Sequence, residues 1–164
     1  MMHMPYNREK AVAYAHRWAY DRNPAYSDFS KMGGDCTNFI SQCLHAGGAS
    51  MNYTRDTGWY YISLSNRAPA WTGVQPLYRF LTTNKGKGPY ARLVSAAEVH
   101  LGDLVQLSFN GGETFGHSLF IVGVGNPRNN SNILVATHSY DSDYRPLDSW
   151  HDVVYRYIHI IGAR

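Results

Sequence analysis

At 164 residues, 44% hydrophobic and 16% charged, the chain is long enough to bury a full core and too apolar for intrinsic disorder. A formal net charge of +3 with no Lys/Arg cluster excludes a dedicated nucleic-acid binder; it suits work near an anionic polymer, or ordinary surface charge, equally well. Two cysteines cannot build a disulfide framework, and no apolar run is long enough to span a membrane.

The start, Met1 to Pro5, lacks the apolar core of a signal peptide. The chain is therefore expected either to stay inside the cell or to be a domain cut from a longer exported protein. Thirteen tyrosines, among 14% aromatic residues, lean towards the exported domain. After Tyr6, Asn7 reads as an N-cap, and Ala11, Tyr14, Ala15, Trp18 and Ala19 recur at helical spacing until Asn23-Pro24 stops them. Residues 25–35 connect to the turn Gly33-Gly34. A second helix is expected from Cys36 to Ala46, closed by Gly47-Gly48. Phe39, Ile40, Cys43 and Leu44 form its apolar face, which makes Cys43 a core thiol. Seven residues along one helix put Cys36 and Cys43 ~10 Å apart at Cα, beyond the ~7 Å that a disulfide bridges.

Residues 51–69 read as irregular, with Gly58-Trp59-Tyr60-Tyr61 their densest aromatic cluster. A short helix is expected from Trp71, capped by Thr72, through Leu77 and Phe80 to Leu81. A turn at Lys85 to Pro89 and a helical turn at Ser95 to Val99 follow. The texture then changes to strands at 104–109, 117–124, 133–138 and 153–161, with Gly111-Gly112, Pro127 and Arg145-Pro146 in the connections. Helices first and an antiparallel sheet after is the α+β arrangement: an N-terminal helical lobe packed on a curved antiparallel sheet, as one domain over 1–164. A monomer is expected.

Chemistry gathers first at Cys36. A thiol where a glycine turn becomes a helix sits among free backbone N–H groups at the positive end of the dipole, which favours thiolate. The competing reading is an incidental buried cysteine. His117, after Gly116 and at the head of an apolar strand, fits a general base for that thiol. A third group should fix the imidazole, and the adjacent strand offers His138, with Asp141 as its chief rival. The other histidines, His3 among them, show no pairing pattern and read as surface or structural. The Cys36 N–H would serve an oxyanion, with the Tyr26 hydroxyl as the second candidate donor. Asp35, as the helix cap, and Trp59 and Trp71, as aromatic walls, are candidates for the substrate cleft, core packing being the alternative for the tryptophans. Zinc on Cys36, Cys43, His117 and His138 is disfavoured, because a six-residue gap within one helix aims the thiols poorly. No cofactor is implied.

Together these residues resemble a known group. Gly33-Gly34-Asp35-Cys36-Thr37-Asn38-Phe39-Ile40-Ser41-Gln42, Ala46-Gly47-Gly48, Trp71-Thr72, Leu101-Gly102-Asp103-Leu104-Val105, Gly116-His117-Ser118, Thr137-His138-Ser139 and Tyr155 to Ile160 fall in an order similar to the "putative amidase domain" family. That family is set among the papain-like cell-wall cysteine hydrolases, with NlpC-type peptidases and CHAP amidases. The resemblance implies Cys36 as nucleophile, His117 as base and His138 as the orienting residue, Asp141 staying open because relatives use Asn, Asp or Glu there. Tyr26 is similar to a loop tyrosine near the oxyanion of NlpC-type peptidases, at a different spacing. The activity implied is amide cleavage in peptidoglycan peptides or at the sugar–peptide linkage, outside the cell or at its wall. Acyl transfer and an inactive wall-binding module are the alternatives on this scaffold.

Overall fold

The structure is a computed structural model, and it describes residues 5–164; the readings placed on Met1 to Met4, including His3, lie outside them. Helix α1 spans Arg8–Trp18, and Asn7 caps it as expected, its Oδ1 accepting from the Lys10 N–H at 3.0 Å. Helix α2 spans Cys36–Ala46, and Gly47 and Gly48 close it with N–H bonds to the Cys43 and His45 carbonyls.

The expected third helix is two. Pro69–Thr72 forms α3 and Val74–Thr83 forms α4, with the extended residue Gly73 between them. Pro69 at N1 favours the first start, and Gly73, not Thr72, precedes the second. The stretch read as irregular holds a small hairpin, β1 (Tyr61–Ser63) and β2 (Asn66–Arg67).

A second sheet carries six strands: β3 (Pro89–Val94), β4 (Leu104–Ser108), β5 (His117–Gly123), β6 (Leu134–Thr137), β7 (Ser142–Pro146) and β8 (Val154–Ala163). Their order is β3-β8-β4-β5-β6-β7, every pairing antiparallel. The four expected strands are the middle of this sheet; β3 and β7 are its edges. Both edges contain proline, at Pro89 and Pro146, where the missing N–H costs no central ladder bond. That is why a sequence reading assigns them to turns.

Alternation along the strands gives the sheet two buried faces. Leu104, Phe120, Val122, Ala136, Ile158 and Ile160 pack with Phe39, Ile40, Leu44, Trp59, Trp71 and Leu77 from the helical side. Val105, Leu107, Leu119, Ile121 and Val135 pack on the other face, under Leu147 and Trp150. Helix α2 is buried on more than its apolar stripe: every residue from Cys36 to Leu44 is buried. Its polar side chains are each satisfied, Asn38 by the Ser27 carbonyl and Asp35, Ser41 by the Trp71 carbonyl, and Gln42 by the Tyr14 hydroxyl. A helix fixed on all sides holds its first residue in place. Among the described residues no helix is long and apolar enough to cross a membrane.

Candidate active site

Gly33 and Gly34 adopt φ of 95° and 109°, the left-handed region where a side chain would be strained, and so turn the chain into α2 at Cys36. One residue beyond Cys36, the Thr37 hydroxyl meets the Ser118 hydroxyl at 3.0 Å, and Ser118 follows His117. This tie docks the first turn of α2 against the first residues of β5. Cys36 and His117 consequently wall one cleft of about 610 Å³, together with Gly33, Gly34, Phe109, Gly116, Ser139, Tyr140, Arg145 and Trp150. At Gly116 an added Cβ would meet nothing within 4 Å, so the residue before the imidazole leaves that approach open.

The expected preformed thiolate needs correction. Burial pushes the Cys36 thiol up, against hydrogen bonds from the Ser118 backbone and from Thr37, whose hydroxyl lies 3.8 Å from Sγ. Burial, helped by the Arg145 charge, pushes the His117 imidazole down to about 4. Both shifts favour a neutral thiol beside a neutral imidazole over an ion pair. They also tie folding to pH. Below pH 6.5 the unfolded chain takes up a proton at residue 117 that the folded chain refuses until about pH 4. His117 should therefore cost the fold on the order of 3 kcal/mol as pH falls across that window. Denaturant unfolding at pH 7 and pH 4 should show the wild type losing that much more stability than His117→Gln; equal losses would contradict the shift.

The third position is also corrected. His138 follows the last residue of β6, and its ring turns towards the helices, where it stacks on Phe39 at 4.2 Å. Its Nδ1 lies 2.5 Å from Asp35 Oδ2 and its Nε2 lies 2.8 Å from the Trp18 carbonyl. Neither nitrogen is left for His117. The group beside His117 Nε2 is the Thr137 hydroxyl, at a long 3.4 Å. Asp141 is no substitute, since Arg22 holds its carboxylate by two bonds of 2.9 and 3.0 Å.

Other candidates move as well. Asp35 makes no capping bond to α2 and lies outside the cleft; its Oδ1 accepts from the Phe29 N–H and Asn38 Nδ2 at 2.8 and 2.9 Å. Trp59 and Trp71 are fully buried, their indoles donating to Ser41 and Asn38, so they are core and not cleft walls. Tyr26 packs against Tyr61 and Trp71 and does not line the cleft. Cys43 is buried in the core, and both cysteines are free. Among the described residues no group of three or more His, Cys, Asp or Glu could hold a metal ion.

Five lining residues escaped the sequence reading: Phe109, Ser139, Tyr140, Arg145 and Trp150. Of these, Ser139 belongs to the Thr137-His138-Ser139 motif and the others to no motif. Ser139 and Tyr140 have φ of 74° and 56°, a turn that brings the end of β6 over the cleft.

Comparison with known proteins agrees on where the chain belongs. No solved structure matches it. It is 38% identical over 143 residues to the uncharacterized protein YhbB of Bacillus subtilis (strain 168), an alignment covering 85% of this chain and 43% of that relative. The chain thus spans less than half the length of the curated relative it matches. The family model described as "Putative amidase domain" matches residues 5–160. With all but the two ends inside that match, the chain belongs to this amidase family, and its proposed chemistry starts from amide hydrolysis.

Proposed function

We propose that the protein is a cysteine-dependent amide hydrolase of papain-like architecture, acting on peptidoglycan peptides or on the sugar–peptide amide at the cell wall. The observation that carries this reading is the shared cleft, with Cys36 at a helix start and His117 at a strand start docked through Thr37 and Ser118. The helices packed on one face of an antiparallel sheet fit the architecture.

In this reading His117 takes the Cys36 proton as Sγ attacks the carbonyl carbon, so a neutral pair becomes charged only during reaction. The free N–H groups of the first turn of α2 face the developing oxyanion, supported by the helix dipole. His117 returns the proton to the amine as the C–N bond breaks. Water, deprotonated by the same imidazole, then splits the thioester. The Thr137 hydroxyl can accept from Nε2–H, which leaves the Nδ1 lone pair for the thiol.

That last assignment gives a prediction. Thr137→Val should lower kcat by about tenfold with KM little changed, since it disturbs the orientation of the base and not binding. Steady-state kinetics on one peptide amide will read this, and an unchanged kcat would remove Thr137 from the machinery. The reading as a whole is tested by mass spectrometry of products released from purified peptidoglycan. New amines and carboxylates at a single type of linkage are expected. Release of amide-exchanged products only when an amine is added would indicate acyl transfer, and no release would point to a binding module.

A further inference from the structure

We propose that Arg145 is a carboxylate-recognition residue of the Cys36 cleft, so that the amide cleaved lies close to a free carboxylate of the substrate. The proposal rests on the reading of Cys36 as the nucleophile and adds to it the substrate's charge.

Arg145 is half-buried on β7 and lines the cleft with Cys36 and His117. Its guanidinium lies over the Trp150 ring, 3.7 Å from the centroid, and its Nε donates to Ser149 Oγ at 2.7 Å. These two contacts pin the plane of the fork and leave its terminal nitrogens without a protein hydrogen-bond partner among the described residues. No carboxylate pairs with it there either. Of the nearby acids, Asp141 is engaged with Arg22 and Asp143 with His16 at 2.8 Å, and Asp148 makes no ion pair with Arg145 and does not line the cleft.

A guanidinium held flat and unpaired suits a planar, two-oxygen acceptor. The charge-bearing side chains that line the cleft have the same sign. Apart from His117, Arg145 is the one ionisable side chain other than thiol and phenol among the described residues lining the cleft, and no Asp or Glu lines it. The start of α2, which lines the same cleft at Cys36, adds positive potential. Asp35, the nearest acid in sequence, faces inward to His138. A cationic peptide would meet nothing to compensate it here. An acidic one meets an oriented fork.

The test uses two alkylating probes that differ only in charge, iodoacetate and iodoacetamide. In each, Cys36 Sγ displaces iodide to form a C–S bond, with its proton passing to His117 or solvent, so thiol ionisation affects both probes alike. Peptide mapping of the whole protein follows the rate at Cys36, and the iodoacetate-to-iodoacetamide ratio is compared with that of free cysteine. The expected ratio is about tenfold above free cysteine, one charge-assisted contact's worth. It should collapse in Arg145→Gln, persist in Arg145→Lys, and fall in the wild type as salt rises through ~0.1 M. The wild-type salt series stands even if a variant fails to fold. A wild-type ratio at or below that of free cysteine, with Cys36 readily labelled, overturns the carboxylate assignment and leaves the nucleophile reading intact. Labelling of Cys36 by neither probe, in a pH series raised to the limit of the folded state so that a neutral resting thiol is also ionised, overturns the nucleophile reading, and this inference with it.

Discussion

Cys36→Ala should reduce amide turnover by at least ~10³-fold, while Cys43→Ala keeps it within about twofold. The two thiols share a helix and are both buried, yet their surroundings differ. Cys36 is 7% exposed at the wall of the cleft beside His117; Cys43 is fully buried among Phe39, Leu44 and their neighbours. In the proposed mechanism, loss of the first sulfur removes the atom that carries the acyl group. Loss of the second leaves a small core void costing about 1 kcal/mol and no chemistry. The stability order should therefore be the reverse of the activity order, with Cys36→Ala melting close to wild type. Rates on a released wall peptide, together with melting curves, check both halves. Retained activity in Cys36→Ala would exclude covalent catalysis.

His138→Ala should destabilise the fold by about 3 kcal/mol, roughly 10 °C in melting temperature for a chain of this size. His138 and Asp35 are each 1% exposed, with 2.5 Å between Nδ1 and Oδ2. Removing the ring strands a buried carboxylate that keeps Phe29 N–H, Asn38 and, at 3.5 Å, Arg22. It also removes the link from α2 to the Trp18 carbonyl at the end of α1, and the stack on Phe39. Asp35→Asn and His138→Ala should then be strongly non-additive in a double-mutant cycle read by denaturant unfolding. A His138→Ala variant with native stability and a specific collapse of kcat would instead restore His138 as the group orienting His117.

The helical half of the molecule was legible because its signals are local. Asn7 caps and Gly33-Gly34 turns where the backbone requires it, although α1 ends at Trp18, before the Asn23-Pro24 stop expected for it. The place of His117 at the head of a strand, and its sharing of a cleft with Cys36, followed from an apolar run opening on a polar ring. The third position misled for a physical reason. His138 and Thr137 are neighbours in sequence but point apart, Thr137 at the end of β6 to His117 and His138 just past it to the helices, and the more basic side chain was the more conspicuous. The edge strands hid behind prolines. The cleft walls were illegible for another reason: Arg145 and Trp150 meet only through a turn after β7, and Phe109 only through the β4–β5 connection, so no spacing announces them. Trp59 and Trp71 drew attention by size and lie in the core, as large aromatics commonly do.

The most direct measurement is intact-protein mass spectrometry of enzyme quenched during turnover on wall peptides, with the site of any adduct mapped by digestion. A transient acyl group on Cys36, its mass matching the released carboxylate fragment less water and absent from Cys36→Ala, is the predicted result. Product accumulating with residue 36 unmodified throughout, and equally fast in the alanine variant, would contradict it.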